Sequence, residues 1–338
     1  MKRKIFKLSV LYFLISSFVF AAFAQQNERD KGIELFKQNN YSGAIDSLKK
    51  ATKIDSSDAQ SWYYLGLSYM RKNETKNSIK AFQKAVELNP KDASARVSLG
   101  YAHLIKNDVN EAVKEARKSL ELNPKISEAH YIIGVVASRN GSYSAAYERA
   151  DEAIKLNPNL AAAYLLKTEA LITSFIKQTG TVIKPKEAKS EMLAEAARSL
   201  EKYLSLSPAN DESKFYQEYL ESVKFFADYY GRPESVLPSS LDINAELPAD
   251  ATALKITYKP RADYTDRARN AGVSGVTELM VGFSADGTVK HILVVKPLGY
   301  GLDEQAVKAA RKIKFQPTTK NGKPISVVRR VQYSFTIR

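Results

Sequence analysis

Apolar residues in the first two thirds of the chain recur at the spacing of amphipathic helices, and the pattern returns every 34 residues. Three segments of the form charged residue, Leu, Asn, Pro end at Pro90, Pro124 and Pro158. Each period predicts a pair of helices, closed by the Asn-Pro step because the residue before proline disfavours the helical conformation. The same offset relates three apolar-glycine pairs: Leu65-Gly66, Leu99-Gly100 and Ile133-Gly134.

The glycines and asparagines of each period have distinct predicted roles. Gly66, Gly100 and Gly134 are expected where the paired helices approach most closely, since a side chain there would hold them apart. Asn39, Asn73, Asn107 and Asn140-Gly-Ser142 are expected to supply turns and helix caps between the helices.

The period continues beyond these units in a weaker form. A degenerate first repeat covers about 25–58, and a fifth begins at Ala161. Its closing proline, Pro208, is displaced, which predicts an inserted loop from Phe175 to about Ser190. An apolar stripe over Asp211–Tyr230 predicts a capping helix. Residues 25–230 are therefore predicted to form an all-α solenoid of about five repeats plus that cap, with the insertion near 175–190.

This segment resembles the tetratricopeptide repeat (TPR) family, and the second repeat carries the resemblance through Trp62, Leu65, Gly66, Tyr69, Phe82, Ala85 and Pro90. The resemblance implies partner binding on the face formed by the first helix of each pair. A groove of Tyr and aliphatic side chains would suit a peptide with apolar anchors, but the same residues could instead pack between repeats. His103 and His130 fall at aromatic positions of the repeat and are predicted to replace packed rings. The groove candidates are Tyr63, Leu67, Met70, Val97, Tyr101, Leu104, Tyr131 and Val135.

The pattern changes after a turn-rich, weakly acidic stretch at 231–250, which is predicted to be a linker. Leu279, Val281 and Phe283 alternate at every second position, as in a strand, and Ser284-Ala-Asp286-Gly287 predicts a hairpin turn. A helical stripe then opens at Asp303, and Val331 to Ile337 alternate again. Residues 251–338 are therefore predicted to form a small α+β domain, which makes the chain multidomain. The sequence leaves open whether its two parts contact each other.

The C-terminal segment resembles the C-terminal domain of the TonB family over nearly the whole of 255–338. The resemblance implies an antiparallel sheet with a helix on one face. It also implies binding of an extended peptide, such as a segment of an outer-membrane receptor, by addition to a sheet edge. The alternative is an edge that is merely solvated. The motifs are Lys259-Pro260, Gly275-Val276, Asp286-Gly287, Gly301-Leu302-Asp303, Phe315-Gln-Pro317 and Asn321-Gly322-Lys-Pro324. The last strand is the predicted edge, with candidates Val327, Arg329, Val331, Tyr333, Phe335 and Ile337.

The N-terminus combines Lys2-Arg-Lys4, an apolar run from Leu8 to Ala24, and an abruptly polar continuation. This order predicts a secretory signal peptide over 1–24, cleaved before Gln25, and a periplasmic location for the rest of the chain. An uncleaved anchor facing the periplasm is the alternative, with membrane contact through the N-terminus. That alternative would suit a TonB-type energy transducer, although the Ser-x-x-x-His face that the resemblance implies for such an anchor is missing.

Charge and composition narrow the function classes. The net charge is +14, and much of it lies in 251–338, but the predicted compartment argues against nucleic acid as a partner. Acidic partners are consistent with a basic patch; a solvated surface is the alternative. The chain has no Cys and three His and no recognised catalytic motif, so no cofactor, no metal site and no enzymatic activity are predicted, with an unrecognised enzyme as a minor alternative. The partners expected are envelope proteins, and the oligomeric state stays open. The patch comprises Arg311, Lys312, Lys314, Lys320, Lys323, Arg330 and Arg338.

Overall fold

The computed structural model describes residues 27–177, 186–207, 209, 211–231 and 250–337. The chain divides into two compact units, 1–132 and 133–338. The predicted signal peptide or anchor and most of the predicted linker lie outside the described residues. Among the residues described, none of the helices is both long and apolar enough to span a membrane.

The first unit consists of helical hairpins, as the 34-residue period predicts. Consecutive helices are joined by short turns, and neighbouring helices from Tyr41 to Leu122 pack against each other. The unit ends within the last of the following helices: α1 (27–37), then α2 (Tyr41–Ile54), α3 (Ala59–Arg71), α4 (Thr75–Leu88), α5 (Ala93–Lys106), α6 (Val109–Leu122) and α7 (Ser127–Arg139).

The turns repeat with the same period as the helices. Asn39, Asn73 and Asn107 adopt positive φ angles of 61°, 59° and 69°, a conformation that Asn tolerates better than most residues. Asp58 and Asp92 cap the N-termini of α3 and α5 by accepting hydrogen bonds from backbone N–H groups of the first turn. The predicted turn chemistry is therefore present in the structure.

A second periodic contact ties each hairpin to the one before it. Trp62 donates from Nε1 to the carbonyl of Ser56 at 2.9 Å. Arg96, one period later, donates from Nε to the carbonyl of Pro90 at 2.9 Å. His130, a further period on, lies with Nε2 3.4 Å from the carbonyl oxygen of Pro124. The three side chains share this function although they differ chemically, so His130 does replace the Trp of the second repeat.

The glycines lie where helices pack closely. A Cβ added to Gly66 would come within 2.6 Å of the ring of Phe82, which is fully buried, and one added to Gly100 would lie 3.1 Å from the carbonyl oxygen of Ala112. Both results confirm the predicted close approach of the paired helices.

We expect Gly66→Ala to lower the free energy of unfolding of the first unit by about 1–2 kcal/mol. Overpacking against Phe82 costs about 1–3 kcal/mol, and the better helix propensity of Ala offsets up to about 1 kcal/mol of it. Urea unfolding followed by the fluorescence of Trp62, the single Trp of the chain, measures the change. Lys80→Ala, an exposed change on α4, is the matched control, and equal midpoints for the two variants would contradict the expectation.

The second unit joins the last helices to a sheet. The predicted insertion from Phe175 to about Ser190 differs from the structure at its ends, because one helix continues through Lys177 and the next already begins at Lys186; residues 178–185 lie outside the described residues. After the end of α7 its elements are α8 (Tyr143–Leu156), α9 (Ala161–Lys177), α10 (Lys186–Leu206), α11 (Asp211–Gly231), β1 (Lys255–Tyr258), α12 (Asp266–Asn270), β2 (Gly275–Phe283), β3 (Val289–Lys296), α13 (Leu302–Ala310), β4 (Lys314–Gln316), β5 (Thr318–Lys320), β6 (Lys323–Ile325) and β7 (Val327–Phe335).

The main sheet has three antiparallel strands in the order β3-β2-β7. The β1-β4 and β5-β6 pairs form two smaller antiparallel sheets, and α13 packs on the main sheet. The predicted β2-β3 turn is present, with Gly287 at a φ of 82°. One hydrophobic core runs from α9, α10 and α11 into this sheet, so the last helices and the C-terminal module form a single packed unit.

Candidate protein-binding edge of the sheet

Strand β7 forms one edge of the main sheet, because it pairs with β2 on one side only among the described strands. The carbonyl of Gln332 accepts a hydrogen bond from Lys259 Nζ at 2.7 Å, and that of Val328 accepts one from Arg329 Nη1 at 2.7 Å. Backbone groups of an antiparallel strand alternate between its two sides. The even-numbered residues of β7 therefore direct their N–H and C=O groups away from β2.

The candidate edge residues divide into core and surface positions. Arg329 is partly buried, and the side chain of Ile337, beyond the end of β7, is half exposed. A peptide paired with this edge would meet the exposed side chains of Arg330, Gln332 and Ser334. Alternation in the sequence separates the two faces of the strand but does not show which backbone groups remain unpaired. The side chains buried in the core are Val327, Val331, Tyr333 and Phe335.

A groove of about 620 Å³ runs along the C-terminal half of β7, from Gln332 to Ile337. Its other wall is the segment 259–264, in which the Tyr264 hydroxyl donates to the carbonyl of Val273. The ammonium of Lys259 lies 4.8 Å from the ring centre of Tyr333. The groove thus combines an extended edge with a polar, cationic wall.

The opposite edge, strand β3, is closed by α11. Tyr219 and Ser222 accept hydrogen bonds from the backbone N–H groups of Val294 and Ile292 at 3.0 and 3.1 Å. His291 is a bulged residue with a φ of 53°, and its ring stacks on Phe225 at 3.8 Å between centroids. Two side chains of α11 therefore satisfy two backbone N–H groups on the outer side of β3, and among the described strands β7 forms the other edge of the sheet.

A group of acidic side chains lies where α9, α11 and α13 meet. Tyr216 on α11 donates its hydroxyl proton to Glu304 on α13 at 3.0 Å. Burial, together with the nearby carboxylates of Asp303 and Glu304, raises the pKa of Glu169 on α9 to about 8, and Arg139 opposes this rise.

Asp303, in the Gly-Leu-Asp motif, has a positioning role. It accepts hydrogen bonds from the N–H groups of Leu298 and Gly299 at 2.9 and 2.7 Å and from the Thr277 hydroxyl at 2.8 Å. Burial nevertheless raises its pKa to about 6. The carboxyl group therefore fastens α13 and the preceding loop to strand β2, which explains an Asp at this position by packing and hydrogen bonding.

The candidate groove of the helical repeats is partly occupied by the core. Val97 and Leu104 are buried, so their side chains cannot contact a peptide, because neighbouring helices cover them. Tyr63, Leu67 and Met70 are partly exposed but pack against the core around Phe82. Tyr101, Tyr131 and Val135 are also partly exposed, and peptide binding on this face stays a prediction. His103 is buried, with Nδ1 3.2 Å from Asp108.

The cations of the predicted basic patch are distributed over several elements. Arg311 pairs with Glu218 of α11, and Arg330 lies 3.8 Å from Glu278. Arg338 lies outside the described residues. Lys312, Lys314, Lys320 and Lys323 are exposed. No group of three or more His, Asp or Glu suited to a metal ion occurs in the part of the chain that the structure describes.

These features define a helical-repeat protein whose last helices pack against a small antiparallel α+β domain. Sequence models of the TPR repeat match residues 32–73, 59–92 and 97–161, and the model of the Gram-negative bacterial TonB protein C-terminal domain matches 260–337. The chain therefore combines TPR repeats with a TonB C-terminal domain, as predicted. Both are non-catalytic families.

No curated protein matches the chain, but solved structures do. A MamA protein is 22% identical with a TM-score of 0.44, over 55% of this chain and 97% of the other. The pilF protein of Pseudomonas aeruginosa is 19% identical with a TM-score of 0.47, over 62% and 90%. YrrB, a TPR protein with an unusual peptide-binding site, is 18% identical with a TM-score of 0.40, over 56% and 90%.

Proposed function

We propose that this protein is a non-enzymatic adaptor of the bacterial cell envelope that binds an extended peptide by strand addition to β7. The observation that carries the proposal is the pair of unequal sheet edges. On strand β3 the N–H groups of Ile292 and Val294 are satisfied by Ser222 and Tyr219, whereas β7 faces a groove. Backbone pairing would supply the affinity, and the side chains along the groove the selectivity.

The helical repeats would hold a second partner. TPR repeats support a role as an interaction scaffold, and Tyr101 and Tyr131 are partly exposed on first helices of the hairpins. The envelope location rests on the N-terminal pattern and on the TonB C-terminal domain. N-terminal sequencing of the mature protein tests it: a start at Gln25 supports secretion with cleavage, and an intact Met1 in a cytoplasmic fraction would contradict it.

Substituting Ser334 tests strand addition directly. Ser334→Pro removes an outward N–H group and places a ring on the edge, a position at which edge strands tolerate proline. We expect a tenfold or greater loss of affinity for a synthetic ten-residue peptide of alternating Val and Thr, measured by fluorescence anisotropy on the full chain. Ser334→Ala keeps the N–H group and is expected to bind like the parent.

Hydrogen exchange locates the bound peptide. The peptide is expected to slow exchange of the Gln332 and Ser334 amides in the parent chain. Equal binding by the Pro and Ala variants, or protection confined to other elements, would overturn the proposal.

A further inference from the structure

Strand β1 lies on the surface of the C-terminal module and is exposed at all four of its residues, Lys255–Tyr258. Two of these residues are large and apolar: Ile256 is 41% exposed and Tyr258 is 54% exposed. Exposed edge strands usually carry polar and charged side chains, because an apolar edge promotes association. Packing within the chain leaves much of both side chains in water, and contact with a partner would cover them.

The strands around β1 carry positive charge and no negative charge. Residues 251–262 and 305–338 contain twelve Lys and Arg and no Asp or Glu. The fold brings the two segments together: β1 pairs with β4, and the N–H of Thr252 donates to the carbonyl of Thr319 on β5 at 2.9 Å. Two acid-free stretches that are far apart in the sequence thus lie side by side.

Lysines of these strands lie opposite one another and beside the exposed apolar side chains. Lys314 is directly opposite Tyr258 in the β1-β4 pair, and Lys320 is directly opposite Lys323 in the β5-β6 pair. Like charges directly opposite each other in a sheet cost stability, and an anionic partner would relieve this cost. The lysines that are exposed and have no ion-pair partner among the described residues include Lys255, Lys314, Lys320 and Lys323.

We propose that this region, the β1 surface, binds the headgroups of an anionic phospholipid membrane. Its lysines would attract the phosphates of the leaflet, while the Ile and Tyr side chains enter the boundary between headgroups and acyl chains, where Tyr is enriched. An acidic protein or a polyanion would engage the lysines but gain little from the two apolar side chains. The β1 surface comprises Lys255, Ile256, Tyr258, Lys314, Lys320 and Lys323.

This inference goes beyond strand addition and does not depend on it, because β1 is not part of the main sheet. Membrane contact at β1 would hold the module at a leaflet while β7 stays available to a peptide.

Hydrogen exchange of the full chain with lipid vesicles tests the proposal. Vesicles of phosphatidylglycerol and phosphatidylcholine in equal parts are compared with vesicles of phosphatidylcholine alone, which have no net charge. The apolar N-terminus is able to bind both kinds, so the readout is protection of the β1 and β4 amides rather than total binding. We expect only the anionic vesicles to slow exchange in β1 and β4, and screening at about 500 mM NaCl to remove most of this protection.

Two double variants separate the effects of charge and of apolar contact. Lys255→Gln/Lys314→Gln should raise the lipid concentration for half-maximal protection at least tenfold, because each cation near an anionic surface contributes a factor of about five. Ile256→Ser/Tyr258→Ser keeps every charge and should raise the same concentration about tenfold, since membrane contact would remove apolar area from water.

Matched variants on the helical repeats serve as controls. Lys76→Gln/Lys80→Gln removes the same net charge from exposed positions of α4. Leu122→Ser removes an apolar side chain that is 42% exposed at the end of α6. Both should respond to anionic vesicles like the parent. Unchanged exchange of the β2 amides without lipid verifies that each variant is folded.

Equal protection of β1 by both kinds of vesicle, or no protection of β1 by either, would overturn the proposal. Poly-L-glutamate tests the alternative partner. If it protects β1 as well as the anionic vesicles do, and Ile256→Ser/Tyr258→Ser changes neither effect, then the β1 surface binds acidic polymers or proteins and not lipid. Peptide binding at β7 is measured separately through Ser334→Pro, so failure of either proposal leaves the other standing.

Discussion

Raising the pH from 5 to 8 is expected to destabilise residues 133–338 relative to a Glu169→Gln variant, by about 3 kcal/mol at pH 8. The buried surroundings of Glu169, with Asp303 and Glu304 nearby, raise its pKa to about 8. A carboxyl group whose pKa is raised in the folded state binds more protons folded than unfolded. Its contribution to stability is therefore fully present below about pH 4 and is lost as the pH rises through 8.

The size follows from about 1.4 kcal/mol per pH unit, discounted because Glu169 is only partly buried by accessible surface. Tyr216, Tyr219 and Arg139 also face this group of acids, and none of them is changed in the variant. Gln is neutral at every pH, so the two proteins should be equally stable near pH 5 and diverge above it.

The difference in free energy of unfolding is measured in urea, with hydrogen exchange of amides in α9 and β2 as the probe. The fluorescence of Trp62 is not suitable because Trp62 lies in the first unit. Glu148→Gln, on the exposed surface of α8, is the matched control and should track the parent at all pH values. Parallel stability curves for the parent and Glu169→Gln between pH 5 and 8 would contradict the assignment.

The helical repeats could be predicted closely because their determinants are local. α4, α6 and α8 end at Leu88, Leu122 and Leu156, each two residues before the proline that marks its period. Asn, Gly and Pro at fixed offsets act through backbone conformation within a few residues, and the sequence displays them directly. The small antiparallel sheet was predictable for the same reason, from alternation and a tight turn.

The closure of β3 by α11 was not predicted, because it depends on contacts between residues about 70 positions apart. Ser222 and Glu218 look like solvent-facing positions of a capping helix, yet they contact Ile292 and Arg311. One signal was present: α11 has apolar side chains on nearly every side, a pattern typical of a helix buried by two neighbours. These side chains are Phe215, Tyr216, Tyr219, Leu220, Val223, Phe225, Phe226, Tyr229 and Tyr230.

The groove at β7 illustrates the same limit. From Arg330 to Phe335 the exposed and buried side chains of β7 follow from alternation, whereas Val327 and Val328 are both buried. The role of Lys259 does not follow from any local pattern, because its partner, the carbonyl of Gln332, lies on a strand 73 residues away. The resemblance to the TonB C-terminal domain indicated an edge, whereas the atoms that occupy it follow from the tertiary fold.

Tyr219→Ala is expected to lower the free energy of unfolding of residues 133–338 by about 4 kcal/mol. The Tyr219 side chain is buried in the shared core and stacks on Phe215 at 5.9 Å, and removing a buried aromatic side chain costs about 3–5 kcal/mol. Tyr219→Phe keeps the ring but leaves the Val294 N–H without its acceptor, for which we expect about 1–2 kcal/mol. Tyr258→Phe, a hydroxyl removed from an exposed ring, should change nothing.

The two Tyr219 variants also test whether α11 protects the β3 edge. An edge with unsatisfied N–H groups is a template for pairing with another chain, so sedimentation velocity should show a concentration-dependent dimer for Tyr219→Ala at concentrations where the parent sediments unchanged. The free energies of unfolding are measured in urea, with hydrogen exchange of amides in β2 and β3 as the probe. If Tyr219→Phe is as stable as Tyr258→Phe, then the hydrogen bond to Val294 contributes nothing to stability. If Tyr219→Ala does not associate, then another contact protects the β3 edge. A stable Ala variant that binds peptide at both edges would show that the asymmetry between β3 and β7 depends on this one side chain.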